Sequence, residues 1–204
     1  MTPSPTFRHW LLRRAAPLLC VGIVAWMAIP RESGPSFQRF PTAGGRMPAW
    51  TMKDLEGRTV SSEAYAGKVV LLNFWATWCP PCVREIPDLQ QFYAEHATEG
   101  FTVVGASVES DTPDVVRDFV LRRKLTYPVL LADASIQMLF GGVSANPMSP
   151  GGLPLPTTFV VARDGRYVAR YLGALNRAEL ERVILPLLRP AGTNAVGVAA
   201  EGGR

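Results

Sequence analysis

Cys79 and Cys82 stand three positions apart in the run Trp78, Cys79, Pro80, Pro81, Cys82, and they are the only close pair among the three cysteines of this 204-residue chain. Two thiols at i and i+3 across a helix N-terminus can close a small disulfide with little backbone movement. At that place unpaired N–H groups and the positive end of the helix dipole favour a thiolate on the first sulfur, while the second is shielded one turn inside. A thiolate attacks an external disulfide, a mixed disulfide forms, and the partner thiol resolves it. Cys79 is therefore expected to be the nucleophile and Cys82 the resolving thiol. A zinc site would need a second pair of ligands, and after the N-terminal segment His96 is the only histidine. A structural disulfide over two intervening residues would remove little loop entropy. No cofactor and no metal are expected.

This chemistry requires a strand that delivers Cys79 and a helix that begins there. Val69 to Trp75 reads as a buried strand, and Pro80 and Pro81 suit the first turn of a helix running to about His96. Short β-branched runs alternate with amphipathic stretches through the rest of the chain, the mark of an α/β sheet. A hairpin is expected over Trp50 to Val60, turning at Leu55, Glu56 and Gly57. Further strands are expected at Phe101 to Val108, Pro128 to Leu131, Thr157 to Val161 and Tyr167 to Leu172. The last two should pair through Arg163, Asp164, Gly165 and Arg166. Helices are expected at Pro113 to Lys124, with Val116, Phe119 and Val120 on one face, at Ser135 to Phe140, and at Arg177 to Leu188. Residues 141–156 read as irregular, 31–46 as a linker, 47–190 as the folded domain, and 191–204 as a frayed tail.

The N-terminus has a separate character. Arg8, His9, Arg13 and Arg14 precede an uncharged run from Ala15 to Ile29. Fifteen residues are short for a span of about 20, although Arg13 and Arg14 can snorkel and Trp10, Leu11 and Leu12 extend the apolar stretch. An uncleaved anchor over 1–30 is expected, with the basic end in the cytoplasm and the rest across the membrane. A cleaved signal peptide is the alternative, but a cut after Ala28 would put the bulky Trp26 at the third-last position. Cys20 reads as a small buried hydrophobe in this run. The formal charge of +4 also belongs here: residues 1–39 hold five Arg against Glu32, whereas from residue 40 onward basic and acidic side chains balance. The domain thus has no net field for phosphates, and nucleic acid is excluded as the expected partner.

Three runs resemble one family: Gly67 to Val70 (GKVV), Leu72 to Pro87 (LNFWATWCPPCVREIP) and Leu155 to Val160 (LPTTFV). Together they resemble the TlpA-like and ResA-like membrane-anchored thiol-disulfide oxidoreductases of the bacterial envelope, over about residues 45 to 188. The resemblance implies a thioredoxin fold with an N-terminal β-hairpin extension and a central β-α insertion near residues 101–131. It implies reduction of disulfides in envelope proteins, apocytochrome c among them, with electrons from a membrane thiol transporter and a periplasmic redox domain at the inner membrane. Pro156 fits the family's cis-proline, and Leu155, Thr157, Trp78, Pro80 and Pro81 fit its client-binding surface. Trp75 is expected in the core and Trp78 as a partly exposed wall. Pro87 matches the helix kink of the fold. The buried acid of thioredoxin itself falls on Asn73, which cannot exchange a proton, and this moves attention to Glu85, aligned with the active-site acid of the ResA-like proteins. On one helix face with Cys82, Glu85 could take the proton that Cys82 must lose.

Other functions fit less well. An oxidase would gain from a His between the cysteines, where two prolines stand. A thiol peroxidase would place Thr three residues before the reactive cysteine, and that position is Ala76. A metal-delivery module would use a wider cysteine spacing and a later His, and no His follows His96.

Overall fold

The computed structural model describes residues 36–38, 45–109, 112–141 and 153–189. The expected anchor over 1–30 with Cys20, the stretch 142–152 and the tail 191–204 lie outside the described residues. No helix among the described residues is long and apolar enough to cross a membrane.

The strands are β1 (Ser36–Gln38), β2 (Thr51–Asp54), β3 (Thr59–Ser61), β4 (Val69–Trp75), β5 (Phe101–Ser107), β6 (Val129–Leu131), β7 (Thr157–Val161) and β8 (Tyr167–Leu172). They form one mixed sheet in the order β1-β8-β7-β4-β5-β6-β2-β3. The helices are α1 (Pro80–His96), α2 (Pro113–Arg123), α3 (Ala134–Gly141) and α4 (Arg177–Leu188). All seven residues of β4 are buried, as expected of a strand covered on both faces. β4 pairs in parallel with β5 and antiparallel with β7. A parallel neighbour needs a crossover, and α1 provides it.

The alternation of β4 divides the core. Val69, Leu71 and Trp75 pack with Ile86, Leu89 and Phe92 of α1, Val116 and Phe119 of α2, and Leu180 and Ile184 of α4. Val70, Leu72 and Phe74 pack on the other face with Trp50, Met52, Phe159 and, from α3, Ile136 and Phe140. Asn73 shares the parity of Leu71 and Trp75, so its side chain faces α1.

The β2–β3 hairpin and the α2–β6 unit are where the sequence placed them. β6 extends the sheet beyond β5, and the hairpin attaches to β6 at the far edge. Element ends differ by a residue or so. Val108 lies beyond β5, although its N–H still donates to the Trp75 carbonyl at 3.0 Å. The linker reading of 31–46 requires correction: Ser36–Gln38 pair with β8, and Arg46 bridges to Arg166. Ladder bonds use backbone groups, so an edge strand can form without an apolar period to announce it.

Candidate active site

Cys79 is the N-cap of α1, and its Sγ accepts from the Cys82 N–H at 3.4 Å. Pro80 and Pro81 occupy the first helical positions, where an absent N–H costs no intrahelical bond and a fixed φ suits the helix. The two sulfurs are bonded, with 5.3 Å between the Cα atoms. Cys79 is 4% exposed and Cys82 fully buried. Cys79 thus keeps a trace of exposure and Cys82 none, the order expected of a nucleophile and a resolving thiol.

Glu85 begins the next turn of α1 and is 2% exposed. Its Oε1 accepts from Asn73 Nδ2 at 2.8 Å and its Oε2 from the Leu175 N–H at 2.8 Å. The Asn73 amide also donates to Thr158 Oγ1 at 2.9 Å. One carboxylate thus ties α1 to the central strand, to β7 through Asn73, and to the chain leaving β8. Burial raises its pKa to about 7, against the lowering effect of the Leu175 and Asn73 hydrogen bonds. Glu85 is accordingly able to hold or release a proton near neutral pH. Tyr127, also buried, feels this site: burial first, and then the Glu85 carboxylate, push its phenol above the ordinary range.

Space for this cluster comes from Gly105, which pairs with Asn73 across β4 and β5. A Cβ at Gly105 would stand 3.0 Å from both Trp75 Nε1 and Tyr127 Cε2.

Leu155–Pro156 is a cis peptide bond. Phe74 pairs with Thr157, so Pro156, one residue earlier, stands at the same end of the sheet as the cysteine turn. Trp75 is fully buried and Trp78 is 66% exposed, a free aromatic wall beside the disulfide. Pro80 is exposed, while Pro81 and Leu155 are half-buried. Thr157 departs from its expected place in the client-binding surface. It is fully buried in a strand covered on both sides, and its hydroxyl donates to the Pro154 carbonyl at 2.5 Å. It braces the proline turn from within. Pro87 lies inside α1.

The sequence reading missed Thr77 and Glu109. The Thr77 N–H donates to Glu109 Oε2 at 2.5 Å and the Thr77 hydroxyl to Oε1 at 2.8 Å. The available signal was the position of Glu109, an acid just past the end of the strand parallel to the one that delivers the cysteines. Among the described residues no three His, Cys, Asp or Glu side chains are grouped to hold a metal ion. Ala76, three residues before Cys79, is buried and offers no hydroxyl.

The chain is similar in sequence and fold to known proteins. Residues 43–169 match the AhpC/TSA family. The thiol-disulfide oxidoreductase ResA of Bacillus thuringiensis subsp. konkukian is 30% identical over 142 residues, covering 69% of this chain and 76% of the relative. Among solved structures, a thiol:disulfide interchange protein of the thioredoxin family from Chlorobium tepidum TLS superposes with a TM-score of 0.62 at 30% identity, over 74% of this chain and all of that one. A DsbF homologue from Corynebacterium diphtheriae gives 0.63 at 29% identity, over 78% and 96% of the two chains.

Proposed function

The chain belongs to the AhpC/TSA family and is a ResA-like thiol-disulfide oxidoreductase of thioredoxin fold, and from that premise we propose that it works as a reductant of protein disulfides in the bacterial envelope. The observation that carries the direction is Glu85 buried behind the cysteine pair. When it is ionised its negative charge opposes a second negative charge on sulfur and partly cancels the helix dipole. A thiolate that is hard to form marks a dithiol that readily gives up its electrons, and no His stands between the cysteines to offset this.

In the reductive cycle the Cys79 thiolate attacks one sulfur of the client disulfide, forming a mixed disulfide while the client's other sulfur leaves as a thiolate and takes a proton. Cys82 then gives its proton to Glu85 and attacks the Cys79 sulfur. The second client sulfur leaves as a thiolate and takes up a proton, Glu85 gives its own proton to solvent, and the Cys79–Cys82 bond closes. Two electrons have passed to the client, and the oxidised state is the one seen here. A membrane thiol transporter would return the dithiol form, and apocytochrome c is one client whose paired cysteines suit this chemistry.

The N-terminal run, basic and then uncharged for fifteen residues, supports an anchor that leaves the redox domain on the periplasmic side of the inner membrane. Resistance to alkaline carbonate extraction is expected, together with protease access in spheroplasts; release of a chain beginning near residue 30 would instead indicate a cleaved signal.

Equilibration with thiol buffers tests the direction. A potential near that of thioredoxin, about −270 mV, is expected. A value near −120 mV, typical of a dedicated oxidant, would overturn the reductive assignment in favour of an oxidase or isomerase.

A further inference from the structure

β4 and β5 run in parallel register as far as Trp75 and Ser107. One more ladder bond follows, from the Val108 N–H to the Trp75 carbonyl at 3.0 Å. The backbones offer no partner for the next donor, the Thr77 N–H, and the Glu109 carboxylate takes it at 2.5 Å while also accepting from the Thr77 hydroxyl at 2.8 Å. Glu109 is itself fixed, its N–H donating to Ser107 Oγ at 3.3 Å. On the other side of the turn the Cys79 N–H donates to the Ala76 carbonyl at 3.2 Å. The four residues between β4 and α1 are thus pinned at Thr77 by a group from the neighbouring strand.

We infer that Glu109 is a positioning residue for the redox reaction: its two-oxygen clamp on Thr77 extends the sheet into the catalytic turn and holds Cys79 Sγ at the N-terminus of α1. The inference rests on Cys79 being the attacking sulfur. It separates from a simple charge effect by sign. Releasing the turn takes the sulfur away from the helix N–H groups and makes its thiolate harder to form, whereas deleting a nearby negative charge alone makes it easier.

The test is the pH profile of Cys79 alkylation by iodoacetamide in the reduced full-length protein, with insulin disulfide reduction as a second readout. Glu109→Ala is expected to move the profile upward by about 0.5 unit and to slow insulin reduction several-fold. Glu109→Gln, whose amide can accept from the Thr77 N–H and donate to its hydroxyl, is expected to restore the rate without the upward shift. A downward shift in both variants, or no change in Glu109→Ala, overturns the inference. Should Glu109→Ala fail to fold, Thr77→Val carries the test, since it removes the hydroxyl arm and leaves the charge: a smaller upward shift supports the clamp, and the parent profile overturns it. A parent protein in which Cys82 alkylates before Cys79 would instead overturn the nucleophile assignment, and this inference with it.

Discussion

Asn73 donates its side-chain amide to Glu85 across 2.8 Å, so the central strand is joined to the redox helix through an acceptor whose pKa lies at about 7. Asn73 cannot titrate, and the proton chemistry of the pair falls to the carboxylate. Around neutral pH Glu85 can accept the Cys82 proton, and once ionised it can oppose the Cys79 thiolate.

Glu85→Gln should therefore lower the pH at which Cys79 becomes alkylated and slow the resolving step by about 100-fold or more, the usual scale for loss of a positioned base. Alkylation at graded pH and stopped-flow mixing with a peptide disulfide check the two effects. A variant that matches the parent in both would make Glu85 a packing residue.

The same carboxyl group predicts a pH dependence of stability. Its pKa is about 7 in the folded chain and near 4.5 when unfolded, so between these values the folded state binds more protons. Stability should fall as pH rises through that window, at up to about 1.4 kcal/mol per pH unit from this group, and level off above it. Urea denaturation of parent and Glu85→Gln across pH 4 to 8 measures the difference, and the variant should lack this component of the slope.

Cys82→Ser should trap a mixed disulfide on Cys79, because the attacking sulfur remains and the resolving one is gone. Cys79→Ser should trap none, since the sulfur left is fully buried. Non-reducing gels after incubation with a disulfide-containing protein distinguish the two, and equal trapping by both variants would reverse the assigned roles.

Gly105→Ala should destabilise the protein by about 1–3 kcal/mol, because the added Cβ would press on Trp75 Nε1 and the Tyr127 ring at 3.0 Å. Moving the Tyr127 ring disturbs a neighbour of the Glu85 carboxylate, so the alkylation profile should shift along with the stability. Chemical denaturation with Trp fluorescence reports the first effect and the alkylation profile the second.

Much of this site was legible in one dimension because its chemistry is local. The Cys79-Pro80-Pro81-Cys82 run carries its own helix start, and an i, i+3 spacing on a helix fixes the relation of the two sulfurs without any distant residue. The run Val69–Trp75, apolar but for Asn73, likewise announces a central strand, since burial on both faces selects such a run. The resemblance added Pro156 and Glu85, whose positions depend on a whole fold.

Other features arise only when distant segments meet. Edge strand β1 is made by backbone pairing, which leaves no side-chain period to read. The inward turn of Thr157 depends on both faces of β7 being covered. Glu109 lies 32 residues from Thr77, and a glutamate just beyond a strand has no distinguishing pattern until β4 and β5 align in register. The sequence by itself determined which two sulfurs pair, because an i, i+3 spacing at a helix start imposes that on neighbours. Tertiary structure alone decided how the pair is tuned, because the pKa of Glu85 is set by desolvation, by Asn73 from β4 and by the Leu175 N–H 90 residues away, and such an environment exists only in the folded chain.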